Sequence, residues 1–594
     1  MSRNKTALAS VLTSIVLLSS CGGGGGGSAP GPAPILVKLS ASTLKVLQDG
    51  TSASVDVTVT RPAGAARSVT LTVVTAARGL TTAIESPGAG NTGKVTFDAR
   101  NTPAGSYSVT VRADDGVSSG TADLSLVVGI VATVGQPSGR RLQTFMSTSF
   151  QPASWTDQFF VQHPGATTPL DNLLARHINV QVMERDIPQT TATTWDFSYI
   201  DGILNRILSV ADHSPLYQIA RGPDFMYDDA QKLHLRDYQE FADFAANLVR
   251  YYNTGGFTDG QDVPHASSSQ WPITYWGIYN EPNINGFSAD EYVDMYNVVV
   301  PTMLAVDPTI KTVAVELADF GDEPQKYMPT FVRNVTAQVD VVATHFYSTC
   351  NQKDTDQQLF DSISGFAPHI TYIYSQLQSR SVLADVPVWL TENNVNADWD
   401  NNGKSACDPS RPFVTDQRGT SAFFAAWRPT VFSKLGQAGI RALHHWGFSA
   451  DAQYGEVSGT TSGKYLSYWV DYYLARYFPY NPGDPSSGSN ILDLRATESS
   501  TVEILATQNS DGSVVVMIAN HAVRSSTDNN GPGDPRTVVV DVSALGSFTT
   551  ATLLMIDAKT NPAQGPSPTT ITSPTSPVEI TLDAYGVTFL TLAK

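Results

Sequence analysis

Two glutamates stand at the ends of apolar runs. Glu281 follows Tyr275-Trp276-Gly277-Ile278-Tyr279-Asn280, and Glu392 follows Val386-Pro387-Val388-Trp389-Leu390-Thr391. A carboxyl at the end of a buried strand is held still and partly dried, and two of them facing one substrate can divide the work of proton donor and nucleophile. The bond that suits this pairing is an acetal: one carboxylic acid protonates the leaving oxygen while the other carboxylate attacks the anomeric carbon or activates a water. A gap of about 5–5.5 Å between the carboxyls gives direct attack and net retention, and roughly 6.5–9.5 Å admits water and inverts. Spacing along the chain leaves both open. Glu316 is a third carboxyl at a strand end, but it carries no motif and is expected to bind substrate or solvent. His444 and His445, with His345, raise the question of a metal. Adjacent histidines on a strand point to opposite faces, so neither a metal nor a cofactor is expected.

Such a pair needs a scaffold that brings two strand ends together. Over residues 140–478 apolar runs alternate with helical stretches, the rhythm of an α/β unit. Strands are expected at 142–147, 178–183, 216–220, 276–280, 312–315, 341–345, 386–391 and 442–446. Amphipathic helices are expected to start at 197–204 and 289–296, with a last helix near 465–478. Strands in that number, each followed by a helix, predict a (β/α)8 TIM barrel, whose functional residues project from the C-terminal ends of the strands. Glu281 then follows the fourth strand and Glu392 the seventh, nearly opposite each other across the barrel mouth.

At four places the residues go beyond rhythm: Trp195-Asp196-Phe197-Ser198-Tyr199-Ile200-Asp201, Tyr279-Asn280-Glu281-Pro282-Asn283, Ala343-Thr344-His345-Phe346-Tyr347 and Leu390-Thr391-Glu392-Asn393-Asn394. With them the chain resembles the retaining glycoside hydrolases of clan A, most closely glycoside hydrolase family 39, over about residues 140–480. The resemblance implies Glu281 as general acid/base and Glu392 as nucleophile. It also implies that Asn280 binds the sugar 2-hydroxyl, that His345 and Tyr347 orient the glutamates, and that Trp446 floors the subsite holding the reacting sugar. Three positions depart from the family pattern. Asn393 and Tyr279 stand where tryptophans are usual, and strand 2 offers only Arg185, at its end, where an internal arginine is expected. The implied activity is hydrolysis of a glycosidic bond in a polysaccharide or oligosaccharide, with carbohydrate as the partner. The competing readings are a non-catalytic surface carbohydrate-binding or adhesion lipoprotein, and a hydrolase of another clan A family.

The flanks read differently. Residues 1–21 have a basic start (Arg3, Lys5), a short apolar stretch and then Leu18-Ser19-Ser20-Cys21, which resembles a bacterial lipobox with Cys21 as the lipidated residue. Residues 22–34, opening with six glycines, are a tether. Export and a lipid anchor to a bacterial membrane, periplasmic or at the cell surface, follow as expectations. Residues 35–128 alternate with period two, as in Val55, Val57 and Val59, and predict an Ig-like β-sandwich. Within it Gly88-Ala89-Gly90-Asn91-Thr92-Gly93 fits a dinucleotide motif and Gly116-Val117-Ser118-Ser119-Gly120 a nucleophile elbow. Both motifs need a strand-to-helix turn, so both are set aside. Residues 129–140 read as a linker, and 479–594 as a C-terminal β-sandwich with strands at 502–507, 514–519, 538–542, 552–556 and 578–592. Cys350 follows strand 6 and Cys407 follows strand 7. Neighbouring loops of an exported protein predict a disulfide, contributing on the order of 3–4 kcal/mol by loop entropy. The net charge of −18, with charged residues at only 15%, excludes the basic patch that nucleic acid requires. It equally leaves the N-terminal lipid as the only expected membrane contact. The sequence assigns no oligomeric state.

Overall fold

A computed structural model describes residues 33–63, 67–151, 159–183, 186–210, 213–228, 231–235 and 237–594. The leader with Cys21 and the expected strand-2 cation Arg185 lie outside those residues. Eight parallel strands close a barrel in sequence order: β1 Phe145–Phe150, β2 Asn179–Val182, β3 Leu216–Ile219, β4 Tyr275–Ile278, β5 Lys311–Ala318, β6 Val341–Thr349, β7 Val388–Asn396 and β8 Ala442–His445. All eight expected strands are present. Two of the helices between them start on capping boxes: Ser288 and Glu291 cap each other reciprocally at the Ala289–Leu304 helix, as do Thr355 and Gln358 at Asp356–Gln378.

The barrel interior is layered. Its floor is apolar, with Phe145, Leu216, Val313, Val341, Trp389 and Ala442 in one cluster. Above the floor the inward residues turn polar, and their bonds cross the interior: Asn179 Nδ2 of β2 donates to Gln218 Oε1 of β3 at 3.2 Å and to the Thr391 carbonyl of β7 at 3.3 Å. A buried amide must find a partner, so these side chains fix the heights of β2, β3 and β7 relative to one another.

The N-terminal sandwich has the expected period: Val55, Val57, Val59, Val95, Phe97, Val109, Val111, Leu124 and Leu126 share its core. The two set-aside glycine motifs lie between strands there, at Thr81–Glu85/Thr92–Asp98 and Gly105–Asp114/Ser119–Leu142. The linker expected at 129–140 is not a linker. Ser119–Leu142 is one strand that pairs with Gly105–Asp114 in the first sandwich, then with Arg536–Asp541 and Ser489–Ala496 in the C-terminal sheet. Gly129, Gly135 and Pro137 suggested a break in composition, but Ile130, Ala132 and Val134 keep the alternation and are fully buried.

The expected strand at 578–592 is two strands. Val578–Leu582 pairs with Arg536–Asp541, and Gly586–Ala593 pairs with Val514–Asn520 and Thr550–Asp557. The continuous apolar run at Val514–Asn520 has a physical cause, since every residue of that strand is buried. Val514, Val516 and Ile518 face the sandwich core, while Val515, Met517 and Ala519 join the barrel's core. A strand covered on both faces has no need to alternate.

Candidate active site

The two glutamates reach the same place by different routes. Glu392 lies within β7, which continues past the expected end to Asn396 in register with β6, so that His345 is paired with Glu392 and Tyr347 with Asn394. Glu281 follows β4 on a turn in which Tyr279 (φ 68°) and Glu281 (φ 45°) are left-handed, and its N–H donates to the Glu316 carbonyl at 3.0 Å. Left-handed non-glycine residues are uncommon and cluster at functional sites.

The side chains converge on His345. Its Nδ1 lies 2.9 Å from Glu281 Oε1 and 3.6 Å from Glu392 Oε2, and its Nε2 lies 3.3 Å from Glu316 Oε2. Glu392 is held at both oxygens: Tyr347 Oη donates to Oε2 at 2.9 Å and Gln181 Nε2 to Oε1 at 2.7 Å. Glu281 is the member open to solvent, its side chain 21% exposed against 8% for Glu392. One donor atom each from Glu281, His345 and Glu392 lie within 4.8 Å of one another. Asn280, beside Glu281, is oriented by Gln218, whose Nε2 donates to Asn280 Oδ1 at 2.8 Å. Trp446 follows β8 and is half-buried, with its backbone N–H donating to the Asn393 carbonyl at 3.1 Å.

Burial acts on these groups in opposite senses. It pushes Glu392 up to about 7, against His345 and Tyr347, which pull it down, and with Glu281 and Glu316, which add to the rise. For His345 burial opposes the charged ring, yet Glu392, Glu281 and Glu316 together hold it well above the usual histidine range. Tyr347 is kept protonated by burial and by Glu392, and so stays a donor.

Several findings differ from the sequence expectations. Glu316 does not meet solvent: it is wholly buried and accepts from Thr391 Oγ1 as well as facing His345. Gln181, Gln218, Asn179 and Thr391 were not anticipated. Their signal is Asn179-Val180-Gln181-Val182, two amides on one face of a strand with every residue buried. Gln181 lies within strand 2, the strand on which the resemblance implies an internal arginine. Asn393 turns away from the site, its Nδ2 donating to the Phe346 carbonyl at 2.6 Å. His444 and His445 diverge: the His444 nitrogens meet the carbonyls of Leu390 and His177, while those of His445 meet Asp471 and the carbonyl of Tyr454.

The loops after β6 and β7 are tied down. Cys350 and Cys407 form the expected disulfide, with Cα atoms 6.0 Å apart, and Arg411 Nη2 donates to the Cys350 carbonyl at 2.7 Å. The C-terminal domain reaches the same region, because the N–H groups of Asn530 and Gly531 both donate to buried Asp356 at 2.8 Å.

No family model and no curated protein matches the chain. Its fold is shared with solved structures of clan A glycoside hydrolases, and those of family 39 are prominent among them. A monomeric beta-xylosidase from Caulobacter crescentus CB15 is 14% identical at a TM-score of 0.53, covering 78% of this chain and 99% of that one. A GH39 enzyme from Xanthomonas axonopodis pv. citri is 15% identical at 0.53, covering 78% and 97%. A GH51 arabinofuranosidase from the same organism is 12% identical at 0.53, covering 78% and 99%. At such identities the likeness speaks for the fold.

Proposed function

We propose that the chain is a retaining glycoside hydrolase that cleaves a glycosidic bond of an oligosaccharide or polysaccharide through a covalent glycosyl-enzyme. The observation that carries this reading is the approach of Glu281 and Glu392, with donor oxygens within 4.8 Å at the barrel mouth. So close an approach of the two acids supports direct attack, the chemistry of the shorter gap. Glu281, the more exposed member, protonates the leaving oxygen while the Glu392 carboxylate attacks the anomeric carbon. In the second step Glu281 takes a proton from water, the water oxygen bonds to that carbon, and Glu392 leaves as a carboxylate. Tyr347 and Gln181 hold the nucleophile in its attacking rotamer. Asn280, fixed by Gln218, supplies the contact to the 2-hydroxyl, and Trp446 the floor beneath the sugar. The lipobox-like Cys21 and the Gly/Pro tether support a site of action outside the cytoplasm, at a lipid anchor.

The test uses an aryl glycoside that the parent hydrolyses. Glu281→Gln and Glu392→Gln each lose activity, and azide separates them: in Glu281→Gln it attacks the glycosyl-enzyme without needing a base and gives a glycosyl azide of retained configuration, whereas in Glu392→Gln it can only displace the leaving group directly and gives the inverted azide. Parental activity in either variant removes that glutamate from the mechanism.

A further inference from the structure

Strand β5 is bent to place a third carboxylate under the pair. Its register with β6 shifts between Ala314 and Leu317, and Val315 (φ 78°) and Glu316 (φ 42°) at the shift are both left-handed, a conformation that a β-branched valine rarely adopts. A bulge of this kind re-aims a side chain. Here it sends Glu316 into the barrel, where Oε2 accepts from Thr391 Oγ1 and lies 3.3 Å from His345 Nε2. Glu316 Oε1 has no hydrogen-bond partner among the described residues. It rests against β4 at Gly277, where a Cβ would stand 3.0 Å from it. Bulge, glycine and threonine all make room for one carboxylate that the two-glutamate chemistry does not itself use.

We propose that Glu316 is a positioning residue for the glutamate pair: it accepts the Nε2–H of His345 and so fixes that ring as an imidazolium whose Nδ1–H lies between Glu281 and Glu392. The proposal rests on the reading of those two as the reacting pair. The charged groups facing His345 are Glu281 from the turn after β4, Glu316 from β5 and Glu392 from β7, with the Tyr347 phenol from its own strand beyond Glu392. Gln181 from β2 meets Glu392 as a neutral donor. Removing the Glu316 charge has two opposed effects on Glu392. It takes away a repelling carboxylate, and it removes the acceptor at Nε2 that, with Glu392 and Glu281, holds the proton on His345, whose cation is the stronger influence on Glu392. The second wins, and Glu392 becomes harder to ionise.

The experiment is nitrogen-15 NMR of histidine-labelled full-length chain, parent and Glu316→Gln, with the His345 signals assigned by their loss in His345→Gln. It is paired with the pH profile of kcat/KM. In the parent both His345 nitrogens carry the imidazolium signature at pH 7, in Glu316→Gln they become neutral, and the acid limb moves up by about 1 pH unit. Glu316→Asp, which keeps the carboxylate, retains the imidazolium. A neutral His345 in the parent at pH 7 overturns the proposal whether or not any variant folds. So does a folded Glu316→Gln that keeps the imidazolium, or an acid limb that stays put while the ring loses its charge. Because the NMR signal needs no turnover, a chain with a charged His345 and no hydrolysis contradicts the hydrolase reading, and hydrolysis with a neutral His345 contradicts this one.

Discussion

Among the described residues, two groups of a histidine and two acids lie near the barrel's C-terminal end, each with ligand atoms within 4.8 Å, and they differ in access: one is fully buried and the other opens at Glu281. In the sealed group, His445, Glu456 and Asp471 surround the Arg428 guanidinium, which donates to both Asp471 oxygens at 2.9 and 3.2 Å. Burial works against the Asp471 charge, but Arg428 and His445 hold its carboxyl below the usual range. Glu456 is pushed well above that range by burial and by Asp471, and it accepts from Thr148 Oγ1 at 2.5 Å. A guanidinium answers the Asp471 carboxylate there, and neither acid reaches solvent. At the mouth three glutamates share one imidazole, with no guanidinium paired to them among the described residues, and the Glu281 side chain is partly exposed. A surplus carboxylate beside a movable proton is poor packing and good acid–base chemistry. The two groups touch through β7, where Glu392 faces the mouth and Asn393 on the opposite face accepts from Arg428 Nη1. The sealed group is thus tied to the strand that carries Glu392.

Breaking each side should fail differently. Glu392→Gln has the largest effect: activity falls by about 10⁴-fold or more, on the scale of a lost nucleophile, while the urea unfolding midpoint stays close to that of the parent. Parental stability with parental activity would erase the distinction. Arg428→Leu comes next, since it strands the Asp471 carboxylate in the interior at a cost of about 3–5 kcal/mol. The readout is a lowered urea midpoint, with the activity of the remaining folded chain retained. A stable Arg428→Leu chain that has lost its activity would make the sealed group part of the chemistry.

The smallest effect is in pH. Glu392 must be ionised to attack, so kcat/KM falls as pH drops below about 7. Its folded pKa is raised above its usual 4.5, so its contribution to stability has the opposite sense: fully present below about 4.5, lost as pH rises through about 7. Activity and this component of stability thus move against each other over that window, and Glu392→Gln removes the component. Matched pH titrations of rate and unfolding check both.

What could be read from the sequence depended on whether a feature was local. The barrel strands announced themselves as apolar runs, and Glu281 and Glu392 as acids that directly follow such runs. His345 and Tyr347 came through the resemblance. Glu316 could be placed but not understood, because the bulge that turns it inward is a matter of register between β5 and β6 and leaves no mark in composition. Gln181 was legible in principle, as an amide alternating with valines, but its partner lies on β7, 211 residues away. The Ser119–Leu142 strand was hidden by glycine and proline, residues that usually end a strand but here sit within one that changes sheets.

The account's central claim is that Glu281 and Glu392 perform a double displacement. Proton NMR of the first sugar released from a glycoside of known anomeric configuration tests it most directly, followed before mutarotation. The account predicts that the product appears first with the configuration of the substrate. First appearance of the opposite anomer would mean that water, and not Glu392, attacks the sugar, and would contradict it.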